Sequence, residues 1–244
     1  MIMKRAIAVL GVFFILGLLS CENADDLIKK GDALSESGNN DQAILSFTKA
    51  IKIKPSAQAY TKRGVVYYNQ KKYNAAVDDY TSAIGLDKDF YDAYLMRGIS
   101  YYYLLDYDKL IPDLNLYTKF NTTNDDAYVF LAAGLYANKQ YQASLDAANT
   151  AIKLNPQRID GYNVRGAIYL LNKNFPEARD DYNTVLKLDP DNSSAKESLA
   201  QLEKLQAEAD RDYLRSLFGQ TTGDPYTDLY NFGYNLGMSG LLGN

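Results

Sequence analysis

The chain has 244 residues, of which 47% are hydrophobic and 23% charged, an ordinary composition for a folded protein. Its 26 basic and 30 acidic residues argue against a nucleic-acid-binding protein, in which a basic surface supplies most of the affinity. Because it has no histidine and one cysteine, it lacks a Ser-His-Asp triad, an imidazole metal site and an intramolecular disulfide. We therefore expect no catalytic residues, no metal and no cofactor, and hence no enzyme.

Residues 1–20 have the features of an export signal. Lys4 and Arg5 precede an apolar run from Ala6 to Leu19. This run is shorter than the about 20 residues of a membrane-spanning helix and fits the apolar core of a signal peptide. The sequence therefore predicts export.

The end of this signal resembles the bacterial lipobox. Leu18-Leu19-Ser20-Cys21 places a small residue directly before the only cysteine. The resemblance implies cleavage before Cys21, attachment of diacylglycerol to its thiol, and a lipidated N-terminus over residues 21–23. Two or more acyl chains suffice for stable anchoring, and the favoured location is the periplasmic face of the outer membrane. The alternatives are an ordinary signal peptide with a coincidental cysteine, or an uncleaved anchor, and Glu22 does not settle inner against outer membrane.

Four glycines reveal an internal repeat. Gly31, Gly64, Gly98 and Gly166 are spaced at 33, 34 and twice 34 residues. Each is followed by an apolar or aromatic residue three positions later, and most by a small residue twelve positions later and an aromatic residue sixteen positions later. The second repeat shows the pattern in Tyr67, Ala76, Tyr80 and Ala83.

This pattern resembles the tetratricopeptide repeat, in which small residues let two antiparallel helices pack closely. The resemblance implies an all-α, right-handed α-solenoid of five helical hairpins. The predicted repeats are residues 24–56, 57–90, 91–124, 125–158 and 159–192.

The third and fourth repeats depart from the pattern. The third has Leu110 and Tyr117 where small residues are expected, and Pro112 is expected to kink or delay its second helix. The fourth has Ala132 in place of glycine and Ser144 in place of alanine.

Two further segments follow the repeats. An apolar stripe over residues 193–218 predicts a helix that caps the solenoid, with Ser194 and Glu197 as its capping box. Residues 219–244 are rich in glycine and tyrosine. This tail is either disordered, paired with a partner, or folded back into the repeat groove.

Oppositely charged residues recur sixteen positions apart. The sequence predicts a structural ion pair between the two helices of one hairpin, and the alternative is a site for a ligand. The pairs are Arg63 with Asp79, Arg97 with Asp113, and Arg165 with Asp181.

In the tetratricopeptide-repeat family, the first helices of successive hairpins line a groove. The resemblance implies that the groove here carries an aromatic ladder, an acidic ladder and apolar residues between them. The aromatic ladder is Tyr68, Tyr102 and Tyr136, the acidic one is Asp92, Asp126 and Asp160, and the apolar residues include Leu95, Met96, Ile99, Val129 and Phe130. The alternatives are that the aspartates only cap helices and that the tyrosines pack against the adjacent hairpin.

These features predict a membrane-anchored adaptor or scaffold that assembles a complex of the cell envelope. Its partner would be another protein or a peptide segment with apolar anchors and some basic residues. The alternative is an accessory subunit of a transport or solute-capture system that binds a small ligand.

Overall fold

A computed structural model describes residues 22–218 and Thr227. The predicted signal peptide, Cys21 and the tail other than Thr227 lie outside the described residues. The described helices, in chain order, are α1 (Ala24–Glu36), α2 (Asn40–Ile53), α3 (Ala57–Asn69), α4 (Tyr73–Leu86), α5 (Tyr91–Tyr103), α6 (Tyr107–Phe120), α7 (Asp125–Ala137), α8 (Tyr141–Leu154), α9 (Ile159–Leu171), α10 (Phe175–Leu188) and α11 (Ser193–Phe218).

The described part of the chain divides into two compact units, with the boundary between Thr122 and Thr123. Unit 1 holds three helical hairpins, α1–α2, α3–α4 and α5–α6, and unit 2 holds the hairpins α7–α8 and α9–α10 followed by α11. Within each unit the first helix of a hairpin packs on its second, and the second packs on the first helix of the next hairpin. The predicted fold class, an all-α helical-repeat solenoid, is confirmed. Among the described helices, none has the length and apolar character needed to cross a bilayer.

Side-chain oxygens cap several first helices. Asn23, Ser56 and Asn124 accept hydrogen bonds from the backbone N–H three residues further on, at 2.9, 3.2 and 3.1 Å. Each cap satisfies one of the N–H groups that a helix N-terminus leaves unpaired. The sequence placed the cap of α11 at Ser194, and this was wrong, because Asn192 accepts the bond from the Ala195 N–H at 3.0 Å.

The hairpin core depends on glycines that face a large side chain. In the second hairpin, a Cβ on Gly64 would lie 2.7 Å from a ring carbon of Tyr80, which is fully buried. In the fifth, a Cβ on Gly166 would lie 3.0 Å from the ring of Tyr182. The recurring glycine therefore provides the space in which the opposing aromatic ring packs.

The third hairpin fills its core with a different set of side chains. Leu110 and Tyr117 are larger than the corresponding Ala76 and Ala83, whereas Leu114 is smaller than the corresponding Tyr80. Leu110 and Leu114 are fully buried and Tyr117 is 5% exposed. Because two alanines are replaced by much larger residues and one tyrosine by a somewhat smaller one, this core holds more side-chain volume than that of the second hairpin.

The structure also shows how Pro112 and Ser144 are accommodated. Helix α6 begins at Tyr107, one repeat after the start of α4 at Tyr73, so Pro112 does not delay it. In the fourth hairpin, the Ser144 hydroxyl is fully buried and donates a 2.7 Å hydrogen bond to the Ala132 carbonyl. The polar substitution therefore adds a bond between the two helices of this hairpin.

Candidate protein-binding surfaces

The first helices of the three hairpins in unit 1 lie side by side. Helix α3 contacts both α1 and α5. Lys62 on α3 pairs with both carboxylate oxygens of Asp32 on α1, at 2.8 Å. These helices thus present a continuous face within unit 1, as the tetratricopeptide resemblance implied.

The apolar part of this face consists of half-buried side chains, which we call the Met96 patch: Val65 and Tyr68 on α3, and Leu95, Met96 and Tyr102 on α5. Val65, Tyr68 and Met96 pack against the same buried cluster, which includes Tyr80 and Ala83. Asp92 is exposed one turn before Leu95. Ile99, by contrast, is only 8% exposed and belongs to the core.

A cluster of tyrosines borders the Met96 patch at the turns of the hairpins. Tyr103 stacks on Tyr73 with ring centroids 4.9 Å apart, and Tyr68 meets both rings edge-on at 5.7 and 5.6 Å. Tyr102 meets Tyr103 and Tyr107 edge-on. Burial and the contact with Tyr103 raise the pKa of the Tyr68 hydroxyl. The aromatic ladder of unit 1 therefore packs partly against the adjacent hairpin, which was the alternative that the sequence left open.

Sequence reasoning missed Tyr73 and Tyr103 because the repeat pattern specifies only the helix that carries each side chain. Both lie at helix ends, where a ring can reach the neighbouring hairpin. The residues one repeat further along the chain are Tyr107 and Ala137. This comparison does not show whether a tyrosine ring stacks on a neighbouring ring or faces solvent.

In unit 2 one of the corresponding residues, Val129, is more enclosed. Tyr136 meets Tyr141 edge-on, with ring centroids 5.8 Å apart. Burial raises the pKa of the Tyr136 hydroxyl. Val129 is 6% exposed, whereas Phe130 is half-buried.

The aspartates of unit 2 are already engaged by an arginine that the sequence analysis did not single out. Arg158 pairs with Asp126 at 2.6 Å and with Asp160 at 2.7 Å, and reaches Asp125 at 3.5 Å. Because one guanidinium bridges them, Asp126 and Asp160 do not form a free acidic edge. Among the described residues, Asp92 of the acidic ladder has no ion-pair partner.

Each of the three arginines in the predicted ion pairs joins two hairpins as well as two helices. Arg165 donates from Nε and one terminal nitrogen to Asp181, at 2.9 and 2.7 Å, and from the other to Asn149 of the preceding hairpin at 2.8 Å. The same geometry recurs for Arg63 and Arg97, with Thr48 and Thr81 as acceptors. Asp79, Asp113 and Asp181 are buried, so these residues serve packing and not an accessible site.

Burial opposes one of these pairs. It raises the pKa of the Asp113 carboxyl, in spite of the hydrogen bonds and the charge of Arg97, which act in the opposite direction. The fourth hairpin has neither member of the pair, because Leu131 and Ala147 take their places and are 5% and 6% exposed. The fold is therefore compatible with either an ion pair or two apolar residues at these two positions.

Within the described residues, no group of three or more His, Cys, Asp or Glu side chains is placed to hold a metal ion. The surfaces offer apolar, aromatic and acidic side chains, which are the chemistry of peptide recognition. The fold places the chain among the helical-repeat proteins.

Comparisons with known proteins agree with this class. Family models described as "Tetratricopeptide repeat" match residues 57–90 and 159–192, and one described as "TPR repeat" matches residues 31–71. Tetratricopeptide repeat protein 13 of Homo sapiens is 33% identical over 60 residues, which are 25% of this chain and 7% of that protein. The matched part thus spans only a small fraction of that relative.

Solved structures show the same fold. YrrB, described as a TPR protein with an unusual peptide-binding site, superposes with a TM-score of 0.68 at 21% identity, over 73% of this chain and 93% of its own. A MamA structure gives a TM-score of 0.62 at 23% identity, over 66% and 94%. MamA from Desulfovibrio magneticus RS-1 gives 0.65 at 16% identity, over 70% and 97%. The matched segments are tetratricopeptide repeats, and the chain has the fold of tetratricopeptide-repeat proteins, which are typically scaffolds for protein interactions.

Proposed function

We propose that this protein is an exported, lipid-anchored adaptor that binds another polypeptide of the bacterial cell envelope. The observation that carries the proposal is the Met96 patch, a set of adjacent apolar side chains on two first helices, only half-covered by the rest of the chain. Aromatic residues and methionine are enriched where proteins bind one another. The peptide-binding site described for the similar protein YrrB supports the same use of the fold.

The chemistry of the surface suggests what it binds. The Met96 patch suits apolar anchor residues, and methionine adapts to anchors of different shape. Asp92, exposed at its edge, suits a lysine or arginine on the partner. The ligand we propose is therefore an extended or helical segment with two or more apolar anchors and a neighbouring basic residue.

Site-specific photo-crosslinking of the full chain in its native membrane would test this surface. A photo-reactive residue at Met96 is expected to yield an adduct with a partner protein. The matched control is Leu86, an apolar residue of the same unit that is 53% exposed on α4, outside the patch. Equal crosslinking at both positions, or none at Met96, would contradict the proposal.

Substitution tests the same surface energetically. Met96→Glu places a charge within the apolar patch and is expected to reduce recovery of the partner severalfold, whereas Leu86→Glu leaves it unchanged. Asp92→Lys is expected to weaken binding more at low salt than at high salt, because exposed charges are screened. A salt-independent effect would exclude a basic residue opposite Asp92.

Membrane attachment through Cys21 is the second part of the proposal, supported by the lipobox resemblance of Leu18-Leu19-Ser20-Cys21. Two or more acyl chains would hold the protein at the membrane without a spanning helix. Incorporation of labelled palmitate in a bacterial host, and its loss in Cys21→Ser together with release from the membrane fraction, is the expected result. Unlabelled wild-type protein in the membrane fraction would indicate an uncleaved anchor instead.

A further inference from the structure

The last hairpin of unit 2 leaves a cavity where the second hairpin of unit 1 has a packed aromatic cluster. In unit 1 the space at the hairpin turn is filled by Tyr68, Tyr73 and Tyr103, from a first helix, its own second helix and the next first helix. Three 34-residue repeats further along the chain, the corresponding residues are Leu170, Phe175 and Leu205. Two of the three rings are thus replaced by leucine.

A cavity of about 280 Å³ lies at this place, lined by all three residues. Its wall continues along α11 with Ala209, and its rim carries Lys173 on the hairpin side and Glu208 and Asp212 on the α11 side. Small-molecule sites commonly measure about 300–1,000 Å³. The volume of this cavity is just below that range, so the cavity can hold one or two side chains.

Helix α11 lines one side of this cavity and is longer than a repeat helix. It has 26 residues, whereas the other first helices have 13. Its first half packs on the hairpin, with Leu202 fully buried, whereas Tyr213 in its second half is 65% exposed. The cavity lies between the hairpin turn and the Leu205–Asp212 part of α11, and it is partly open to solvent.

We propose that the cavity is the docking site for aromatic side chains of the chain's own C-terminal segment, residues 219–244. This segment contains four aromatic residues, Tyr226, Tyr230, Phe232 and Tyr234, and no lysine or arginine. Its rings would restore the aromatic packing that Leu170 and Leu205 leave incomplete.

The length of the chain permits this docking. Asp212 lies at the cavity and α11 ends at Phe218, so the helix continues about 9 Å beyond it at 1.5 Å per residue. The seven residues from Gly219 to Pro225 span up to roughly 23 Å when extended. They include two glycines and so permit a reversal of direction. The tether also keeps the rings at a local concentration of about millimolar, which makes a shallow site sufficient.

The absence of tryptophan from the chain provides a direct test. Single replacements of Tyr226, Tyr230, Phe232 and Tyr234 by tryptophan, each in the full chain, report the surroundings of the segment by fluorescence. At least one of them is expected to show blue-shifted emission and acrylamide quenching severalfold weaker than that of Tyr213→Trp, the reference for an exposed position on α11.

Filling the cavity should release the segment. Leu205→Tyr or Leu170→Tyr, the residues that unit 1 has at these positions, is expected to return the protected tryptophan to the emission and quenching of the reference. Leu188→Tyr is the matched control, because Leu188 is 41% exposed on α10 and does not line the cavity. Far-UV circular dichroism establishes that each variant keeps its helices.

Three results would overturn the proposal. If none of the four tryptophans is protected, the segment does not dock. If protection survives both cavity-filling variants, the segment docks elsewhere. If protection disappears on dilution, the occupant is the segment of a second copy of the chain. Because Met96 lies in unit 1 and the cavity in unit 2, failure here leaves the proposed function untouched.

Discussion

Tyr80 is fully enclosed between α3 and α4, and within the described residues its hydroxyl has no hydrogen-bond partner. An unpaired buried hydroxyl costs about 1–3 kcal/mol. The first hairpin has Phe47 at the corresponding position, also packed against a glycine. The fold thus accepts a ring without a hydroxyl at this position.

Tyr80→Phe is therefore expected to leave stability unchanged or to raise the free energy of unfolding by about 1 kcal/mol. Tyr182→Phe is the control, since the Tyr182 hydroxyl lies within hydrogen-bonding reach of Ser198 and its loss should be destabilising. Urea unfolding followed by circular dichroism measures both. A destabilised Tyr80→Phe variant would mean that the hydroxyl has a partner in solution.

Each turn inside a hairpin has one residue in the left-handed backbone conformation. Gly38, with φ of 78°, and four non-glycine residues occupy the left-handed region, namely Lys71, Leu105, Lys139 and Lys173 at φ of 59–60°. The conformation lets the Lys139 N–H donate to the Tyr136 carbonyl and the Gln140 N–H to the Leu135 carbonyl, which caps α7. A side chain in this region costs about 1–2 kcal/mol.

Lys139→Gly is expected to raise the free energy of unfolding by about 0.5–1 kcal/mol, because glycine adopts this conformation without a steric cost. Lys139→Ala separates this effect from loss of the charge, and should bring no such gain. Gly38→Ala is expected to be destabilising by a similar amount, although space surrounds it. If Lys139→Ala stabilised as much as Lys139→Gly, strain would not be the cause.

At the scale of the helical element, the ion pair that joins the two helices of a hairpin is replaced by two apolar residues in another hairpin of the same chain. Arg165 and Asp181 are joined by two hydrogen bonds, and the Asp181 side chain is 5% exposed. Leu131 and Ala147 replace the pair in the neighbouring hairpin. Loss of one partner leaves a buried charge, whereas loss of both leaves none.

Asp181→Ala is accordingly expected to cost about 3–5 kcal/mol of unfolding free energy. Adding Arg165→Leu should recover about 1–3 kcal/mol of that loss. Asp191→Ala is the control, because its ion pair with Lys196 is long, at 3.8 Å, and fully exposed, and so should contribute almost nothing. Strict additivity of Asp181→Ala and Arg165→Leu would show that the two residues do not interact.

Features within one hairpin could be predicted from the sequence, whereas a contact between repeats could not. The 34-residue period, the glycines and the sixteen-residue Arg–Asp spacing are properties of one hairpin, and a hairpin is a local structure. They predicted the helices and the partners of the arginines. The bridge from Arg158 to Asp126 and Asp160 joins residues of two successive repeats, and its position has no counterpart in the repeat pattern.

The candidate surface was predictable only in part for a related reason. The family pattern names the positions that face the groove, and Leu95, Met96 and Tyr68 are indeed half-exposed. It does not give the depth of a side chain, which depends on the size of its neighbours. Ile99 and Val129 are therefore buried although they occupy groove positions.

At the scale of the whole molecule, the ionisable residues determine how stability varies with pH. The chain has 22 tyrosines and no histidine. Burial raises the pKa of several tyrosine hydroxyls, most strongly that of Tyr80, and also those of Tyr68, Tyr101, Tyr136 and Tyr182. In the unfolded chain each would have a pKa of about 10.

This shift predicts loss of stability at alkaline pH. Above about pH 10 the folded protein retains tyrosine protons that the unfolded chain has lost, so the free energy of unfolding falls as the pH rises towards the folded-state pKa values. Without histidine, it should be level between about pH 6 and 9. The urea midpoint measured from pH 6 to 11.5, roughly the span over which tyrosine ionises, checks the profile. The tyrosinate absorbance of the folded protein should rise at higher pH than that of the urea-unfolded chain. Coincident titration curves, or a midpoint that rises above pH 10, would contradict the role of buried tyrosine.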